Sequence, residues 1–179
     1  MLTDKELIEL VRLDKDAGFR KLMSIYQEKI YWHIRQMVTY HDDADDVVQN
    51  TFIKVYRYLD NFKEWSSLYT WIYRIATNES LSFLKKRKKQ ASDSIDNEEL
   101  MVGQRLKADE YFDGNEVNIK LQQAILGLPE KQKAVFQLRY YQEMPYQQIS
   151  EILDTSVGAL KASYHHAVKK IEKYLKNED

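Results

Sequence analysis

Apolar residues recur at intervals of three and four along most of the chain, which is the period of an amphipathic helix. Thr3 followed by Glu6 predicts a capping box at the start of the first helix, and the apolar series within residues 19–38 predicts a longer second helix. Only five glycines and two prolines occur among the 179 residues, so turn signals are few. The pattern therefore predicts an all-α protein.

Residues 60–89 combine a polar loop with an amphipathic helix and a basic end. The loop carries two large rings, Phe62 and Trp65. The apolar positions of the helix predict a core face formed by Trp71, Ile72, Ile75, Ala76, Leu81 and Leu84. The opposite face is predicted to be open and to carry Tyr69, Thr70, Tyr73, Arg74, Thr77 and Asn78. The segment ends in an unbroken run of five cations at 85–89.

This segment predicts a surface for an unpaired nucleic-acid strand. Aromatic rings stack on bases, and cationic side chains neutralise phosphates. The alternative is that the rings are half-buried core residues and that the basic run is a solvated helix end favoured by the helix dipole. The segment taken by itself leaves both interpretations open.

The charge distribution supports a nucleic-acid partner although the net charge is only −1. Residues 90–130 hold nine acidic and three basic residues, whereas residues 131–176 hold eight basic and four acidic ones. Two cationic regions are thus separated by an acidic segment. The helical period is also lost between 90 and 118, so we predict two small helical domains, 1–89 and 119–179, joined by an acidic linker, 90–118. The linker is either a solvated tether or a segment that lies in a basic channel of a partner protein.

The second domain contains the pattern of a helix-turn-helix. Pro145 opens a short helix, Asp154 and Thr155 form a turn, and Ser156 caps a longer helix. In this motif the amino-terminal half of the second helix enters the major groove of duplex DNA. Its outward positions are predicted to be Gly158, Ala159, Lys161, Ala162, His165, His166, Lys169, Lys170 and Lys173.

Other classes of function find little support in the residues. The chain has no cysteine, and the acidic stretch 42–46 suits the positive end of a helix better than a calcium loop. His165 and His166 are adjacent on a helix and point in different directions, so no metal site is predicted there. We find no Ser-His-Asp order, glycine-rich phosphate loop or zinc signature, and therefore expect no enzyme, cofactor or small-molecule substrate. The charged amino end is no secretory signal and no stretch has the length of a membrane span, so the cytoplasm is the expected location.

Three segments resemble a known family and occur in its order: DDADDVVQNTFIKVYRYLDNF, SSLYTWIYRIATN and LPEKQKAVFQLRYYQEMPYQQISEILDTSVGALKASYHHAVKKIEKYL. The chain is similar to the extracytoplasmic-function (ECF) sigma factors of the sigma-70 family, over residues 7–175. This resemblance implies a region 2-like domain at 1–89 and a region 4-like domain at 119–179. It also implies a promoter-specificity subunit that recruits core RNA polymerase and helps to melt DNA.

The resemblance assigns each segment a role. It implies that a polymerase-binding helix includes Asp45, Asp46, Val47, Gln49, Asn50 and Phe52. It implies that the minus-ten element is captured and opened by Phe62, Lys63, Trp65, Ser66, Ser67, Tyr69, Thr70, Trp71, Arg74, Asn78, Lys85, Lys86 and Arg87. It implies that the minus-thirty-five duplex is read by Ser156, Gly158, Ala159, Lys161, Ala162, His165, His166 and Lys169. The implied partners are core RNA polymerase, promoter DNA as duplex and as single strand, and an anti-sigma factor.

The chain departs from the family pattern at informative positions. Asn50 stands where the family usually has Glu, which weakens a charge pair with polymerase. The recognition helix lacks both customary arginines, and arginine is the usual bidentate reader of guanine. We therefore predict a duplex element with fewer guanine contacts, read through groove shape and phosphates. Two rival functions remain: a helix-turn-helix regulator that acts without core polymerase, and an RNA-binding or nucleic-acid-modifying enzyme.

Overall fold

The computed structural model describes residues 3–38, 40–63, 66–91 and 116–176. Within these ranges all regular structure is helical, which confirms the predicted fold class. A short 3-10 turn occupies Leu59–Asn61. The α-helices are α1 Asp4–Leu13, α2 Lys15–Val38, α3 His41–Tyr58, α4 Leu68–Ala91, α5 Glu116–Leu126, α6 Glu130–Tyr140, α7 Tyr146–Leu153 and α8 Val157–Lys176.

The described residues divide into two compact units. One takes 3–38, 40–63, 66–85 and 150–154, and the other takes 86–91, 116–149 and 155–176. The predicted boundaries at 89 and 119 stay a prediction. Most of the predicted linker, 92–115, lies outside the described residues.

In the first unit α2 packs against both α1 and α3. Leu22, Ile30 and Ile34 on α2 are completely buried, because they recur on one face at the spacing that the sequence predicts. The capping box at the start of α1 is present. Glu6 Oε2 accepts the backbone N–H of Thr3 at 2.7 Å, and Thr3 Oγ1 accepts that of Glu6 at 3.3 Å. The backbone N–H and the hydroxyl of Thr3 both donate to the Glu6 carboxylate, and these two hydrogen bonds lower the pKa of Glu6 because they favour its charged form.

The buried face of α4 differs from the predicted one. Thr70, Tyr73 and Thr77 were expected on the open face, but they are buried, with 3%, 1% and 0% of their surface exposed. This part of the prediction was wrong because α2 presents a polar side chain to α4, His33, whose Nε2 lies 2.9 Å from Thr77 Oγ1. The His33 ring also packs 4.9 Å from the Tyr73 ring. A period of hydrophobic residues cannot reveal a buried face that is partly polar.

In the second unit α8 packs against α5 and α6. Its inward residues Leu160, Ala167 and Ile171 are buried, as the helical period predicts. The shared core consists of Ala124, Ile125, Leu128, Phe136, Ala167 and Ile171. The predicted turn between α7 and α8 is also present, and Asp154 adopts a left-handed conformation there, with φ of 48°.

Candidate nucleic-acid interface

The amino end of α4 is fixed by contacts from its own loop and from α1. Ser67 caps the helix, since its Oγ accepts the Thr70 N–H at 3.1 Å and its carbonyl accepts the Trp71 N–H at 3.0 Å. From α1, Asp4 Oδ2 accepts the Leu68 N–H at 2.9 Å. Sequence reasoning missed Asp4 because it lies 64 residues before its partner.

Two aromatic rings lie together where the loop meets α4. The Phe62 and Trp71 ring centroids are 5.1 Å apart, and both side chains are half-buried. Lys63 is exposed beside them, whereas Trp65 lies outside the described residues. Half-buried rings with a neighbouring cation provide both of the contacts that an unpaired strand needs.

A stripe of exposed polar residues continues from these rings along α4. Arg74 and Asn78 are exposed and follow Trp71 at spacings of three and seven, which places the three residues on one face of the helix. Lys85 lies seven residues further on that face and is exposed, as is Lys86, while Arg87 is half-buried. The stripe therefore runs from aromatic to cationic along one helix.

Two other predicted strand contacts are held inside this end of α4. The half-buried Tyr69 ring packs 4.4 Å from the Tyr73 ring and 6.5 Å from the Tyr26 ring, and burial raises the pKa of Tyr69. Thr70 is buried and its hydroxyl is bonded to that of Ser67 at 2.8 Å. Tyr69 is thus only partly exposed, and Thr70 acts within the cap.

The proposed polymerase-binding helix, α3, divides its predicted residues between two faces. Asp45, Asp46, Gln49 and Asn50 are exposed. Ile53 is 50% exposed on the same side of α3, seven residues after Asp46. The exposed face of α3 is therefore polar with an apolar centre.

Val47 and Phe52 lie on the inner face of α3, with 2% and 4% of their surface exposed. Phe52 packs against the Phe19 ring of α2 at 6.4 Å. Neither side chain reaches solvent in this conformation. We therefore expect them to hold α3 on the core rather than to contact polymerase directly. The helical period could have separated these two residues from their exposed neighbours.

All of the predicted duplex contacts on α8 are exposed. Ser156 caps the helix, since its Oγ accepts the Ala159 N–H at 3.3 Å. A Cβ built on Gly158 would meet no described atom within 4 Å. The exposed set consists of Ser156, Gly158, Ala159, Lys161, Ala162, His165, His166 and Lys169.

The ring of Tyr146 at the start of α7 lies beside this surface, and sequence reasoning missed it. Lys161 Nζ is 5.9 Å from its ring centroid, and the Arg139 guanidinium carbon is 5.3 Å from it. Arg139 Nη1 also donates to the Met144 carbonyl at 3.1 Å, which fixes the turn before α7. Only tertiary packing brings these three residues together, so their separate positions in the sequence gave no signal.

Across the part of the chain that the structure describes, no helix has both the length and the apolar character needed to span a membrane. Over the same residues, no three His, Asp or Glu side chains are grouped where they could hold a metal ion.

Two family models match the chain, in the order of its two predicted domains. The model described as Sigma-70 region 2 matches residues 22–90, and the model described as Sigma-70, region 4 matches residues 118–171. The first match contains the exposed faces of α3 and α4, and the second contains the helix-turn-helix. These matches define the class as sigma-70-type proteins.

Curated relatives match nearly the full chain. The ECF RNA polymerase sigma-E factor of Haemophilus influenzae is 32% identical over 96% of this chain and 94% of its own length. The ECF RNA polymerase sigma factor SigW of Bacillus subtilis is 30% identical over 99% of this chain and 98% of its own. The chain belongs to the ECF sigma factors of the sigma-70 family.

Solved structures share the fold. The structure of CnrH in complex with the cytosolic domain of CnrY has a TM-score of 0.73 and 18% identity, covering 98% of this chain and 99% of that chain. The sigma factor RpoE in complex with the anti-sigma factor NepR, from Bartonella quintana, has a TM-score of 0.69 and 20% identity, covering 88% and 96%.

Proposed function

We propose that this ECF sigma factor binds core RNA polymerase, directs it to promoters and helps to open the DNA without covalent chemistry, in the cytoplasm. One observation carries the proposal: a single chain bears two exposed surfaces of different composition. The α4 stripe of rings and cations suits a separated strand, and the exposed α8 face suits a duplex groove. Full-length similarity to ECF sigma factors supports the same conclusion.

The exposed face of α3 is the proposed contact with polymerase. Asp46, Gln49 and Asn50 supply polar contacts around the apolar side chain of Ile53, an arrangement typical of a protein interface with a small apolar centre. Asn50 supplies hydrogen bonds but no charge. Val47 and Phe52, on the buried face of α3, pack the helix against the core.

Promoter opening follows from preferential binding of the separated strand. Each base that stacks on a ring gains roughly 1–3 kcal/mol, so a few captured bases offset the cost of local unpairing. Phe62 and Trp71 are the rings proposed to do this, with Arg74 and Lys85 neutralising the strand's phosphates. No nucleotide hydrolysis is needed for such a process.

The duplex element is read by α8. Its outward face offers small residues, two histidines and lysines in place of arginines, so we propose that phosphate contacts and groove shape carry much of the recognition. The exposed Gly158 allows the helix backbone to approach the DNA closely.

We further propose that an anti-sigma protein regulates the chain by covering its α3 and α4 surfaces. RpoE, which shares this fold, has been solved in complex with the anti-sigma factor NepR, and CnrH, which also shares it, in complex with the cytosolic domain of CnrY. The partner of this chain would need to match a polar helix face on α3 with the apolar side chain of Ile53 at its centre.

The proposal is tested by transcription in vitro from a randomised promoter library with purified core polymerase. We expect transcripts that depend on the protein and whose promoters share two separated elements. If the protein binds a selected duplex but neither co-purifies with core polymerase nor supports transcription, it is a helix-turn-helix regulator instead.

The opening step is tested with Trp71→Ala. We expect weaker permanganate reactivity of the promoter bubble, with unchanged binding to core polymerase. Trp32→Ala is the matched control, since Trp32 is 39% exposed on α2 and lies outside the proposed interface. A normal bubble with the Trp71 variant would remove the α4 surface from the proposed mechanism.

A further inference from the structure

We infer that Asp4 of α1 is a positioning residue for strand capture, although it lies outside every surface assigned above. This inference rests on the proposed function, since it concerns the α4 surface that would bind the separated strand. Asp4 does not touch the DNA in this assignment. It holds the two groups that set the position of that surface, the Leu68 amide and the Tyr26 hydroxyl.

The first contact fixes the backbone where the loop becomes a helix. Asp4 Oδ2 accepts the Leu68 N–H at 2.9 Å, and Leu68 is 1% exposed. This amide is one of those at a helix start that no intrahelical carbonyl can satisfy. A carboxylate at this place also complements the positive end of the α4 dipole. Without it, the Leu68 amide would be buried without a partner or the loop would have to move.

The second contact fixes an aromatic side chain. Burial raises the pKa of Tyr26 to about 12, and the Asp4 carboxylate, which is near enough to accept a hydrogen bond from the Tyr26 hydroxyl, adds to this shift by its negative charge. The Tyr26 ring in turn packs 6.5 Å from the Tyr69 ring. Asp4 therefore joins three elements, α1, α2 and the start of α4, at one carboxylate.

Both contacts lead to the proposed strand-binding side chains. Leu68 is followed directly by Tyr69, and Ser67, directly before it, caps the helix and bonds the amide of Trp71. Small displacements of a preformed binding surface weaken binding because the ligand must then restore the geometry. The α1 helix thus contributes to strand capture through one side chain.

The test measures three affinities: two for DNA probes, with the protein bound to core polymerase, and one for core polymerase itself. The first probe is a fluorescent single-stranded oligonucleotide with the selected minus-ten sequence, and the second is a duplex with the selected minus-thirty-five sequence. Core binding is measured separately. For Asp4→Ala we expect strand affinity to fall about tenfold, the factor that corresponds to about 1.4 kcal/mol, while duplex and core affinities stay unchanged.

Asp4→Asn keeps an oxygen that can accept the Leu68 N–H, so it should recover most of the strand affinity. Tyr26→Phe keeps the ring and removes the hydroxyl, so it should give a smaller loss of strand affinity. Glu9→Ala is the matched control, because Glu9 is an exposed carboxylate on the same helix.

The outcomes separate this inference from the function on which it rests. If the unaltered protein fails to bind the strand, the proposed function is wrong. If it binds and Asp4→Ala binds equally well, or Asp4→Ala loses all three affinities together, the positioning role is wrong. If Asp4→Ala does not fold, Asp4→Asn takes its place in the test. The positioning role is then also wrong if Asp4→Asn binds the strand no better than an unfolded control does.

Discussion

His33 illustrates how a single buried polar residue can set the packing of two helices. It is completely buried and shares a hydrogen bond with Thr77. Among the described residues, its Nδ1 has no hydrogen-bond partner. A second proton on the neutral ring would create a buried charge and leave the Nδ1–H without an acceptor, and burial accordingly lowers the pKa of His33 to about 3.

Because the His33 ring is buried in its neutral form, we predict that the folded protein is less stable in mild acid. The unfolded chain takes up a proton on the His33 ring near pH 6.5, whereas the folded chain does so only near pH 3. The free energy of unfolding should therefore fall as the pH decreases through this window, by about 2 kcal/mol between pH 7 and pH 5 from this residue. Urea denaturation at several pH values measures the change.

The variant His33→Gln isolates the contribution of this residue. It should be less stable at pH 7, because a tightly packed ring is lost, but it should lose less stability between pH 7 and pH 5. His166→Gln, which removes an exposed histidine, serves as the control and should keep the acid sensitivity. Equal pH dependence in the unaltered protein and His33→Gln would mean that His33 is not held neutral by the fold.

The scale of the helix shows what local sequence patterns can predict. The caps by Thr3 and Ser156 were predictable because both partners lie within three residues of each other. The inward stripe of α8 was predictable because its residues repeat at the helical period. The contacts of Asp4 with Leu68 and of His33 with Thr77 were not, because they join residues 64 and 44 positions apart and use polar atoms. The assignment of the site to α3, α4 and α8 stays a prediction, and three of its predicted contacts, Val47, Phe52 and Thr70, are buried rather than exposed.

Two glycines distinguish a position where helices pack closely from a position on an open helix face. A Cβ on Gly18 of α2 would lie 2.6 Å from the Val11 Cα of α1, so the backbone of one helix would have to shift. A Cβ on Gly158 of α8 would meet no described atom within 4 Å. The fold requires the glycine at the first position and not at the second.

Substitution by alanine should therefore have opposite effects at these two positions. Gly18→Ala should lower the free energy of unfolding by about 1–3 kcal/mol, as overpacking does. Gly158→Ala should raise it by about 0.5–1 kcal/mol, because alanine favours a helix over glycine. Chemical denaturation measures both effects.

Binding assays on the same variants test the proposed reason for Gly158. If the α8 backbone approaches the DNA closely there, Gly158→Ala should bind the minus-thirty-five duplex more weakly although it is more stable. A variant that is more stable and binds equally well would show that the glycine serves neither the fold nor recognition.

At the scale of the whole molecule, the basic side chains are concentrated on separate surfaces rather than spread evenly. The net charge of −1 would give little general attraction to DNA, so affinity must come from local cationic surfaces. The α4 stripe ends in exposed Lys85 and Lys86, and α8 exposes Lys161 and Lys169. Because single strands and duplexes have different charge densities, each surface should leave its own signature in the salt dependence of binding.

Paired lysine substitutions should separate these signatures. In the complex with core polymerase, Lys161→Ala with Lys169→Ala should reduce the slope of log affinity against log salt by about 1.8 for duplex, since each phosphate contact contributes about 0.9. Lys85→Ala with Lys86→Ala should reduce the slope by about 1.4 for single strand, at about 0.7 per contact. Each pair should leave the other probe unaffected, and the four substitutions together should give both reductions. If either pair changed both slopes equally, the two surfaces would form one continuous nucleic-acid site, and the division of labour between the two units would have to be abandoned.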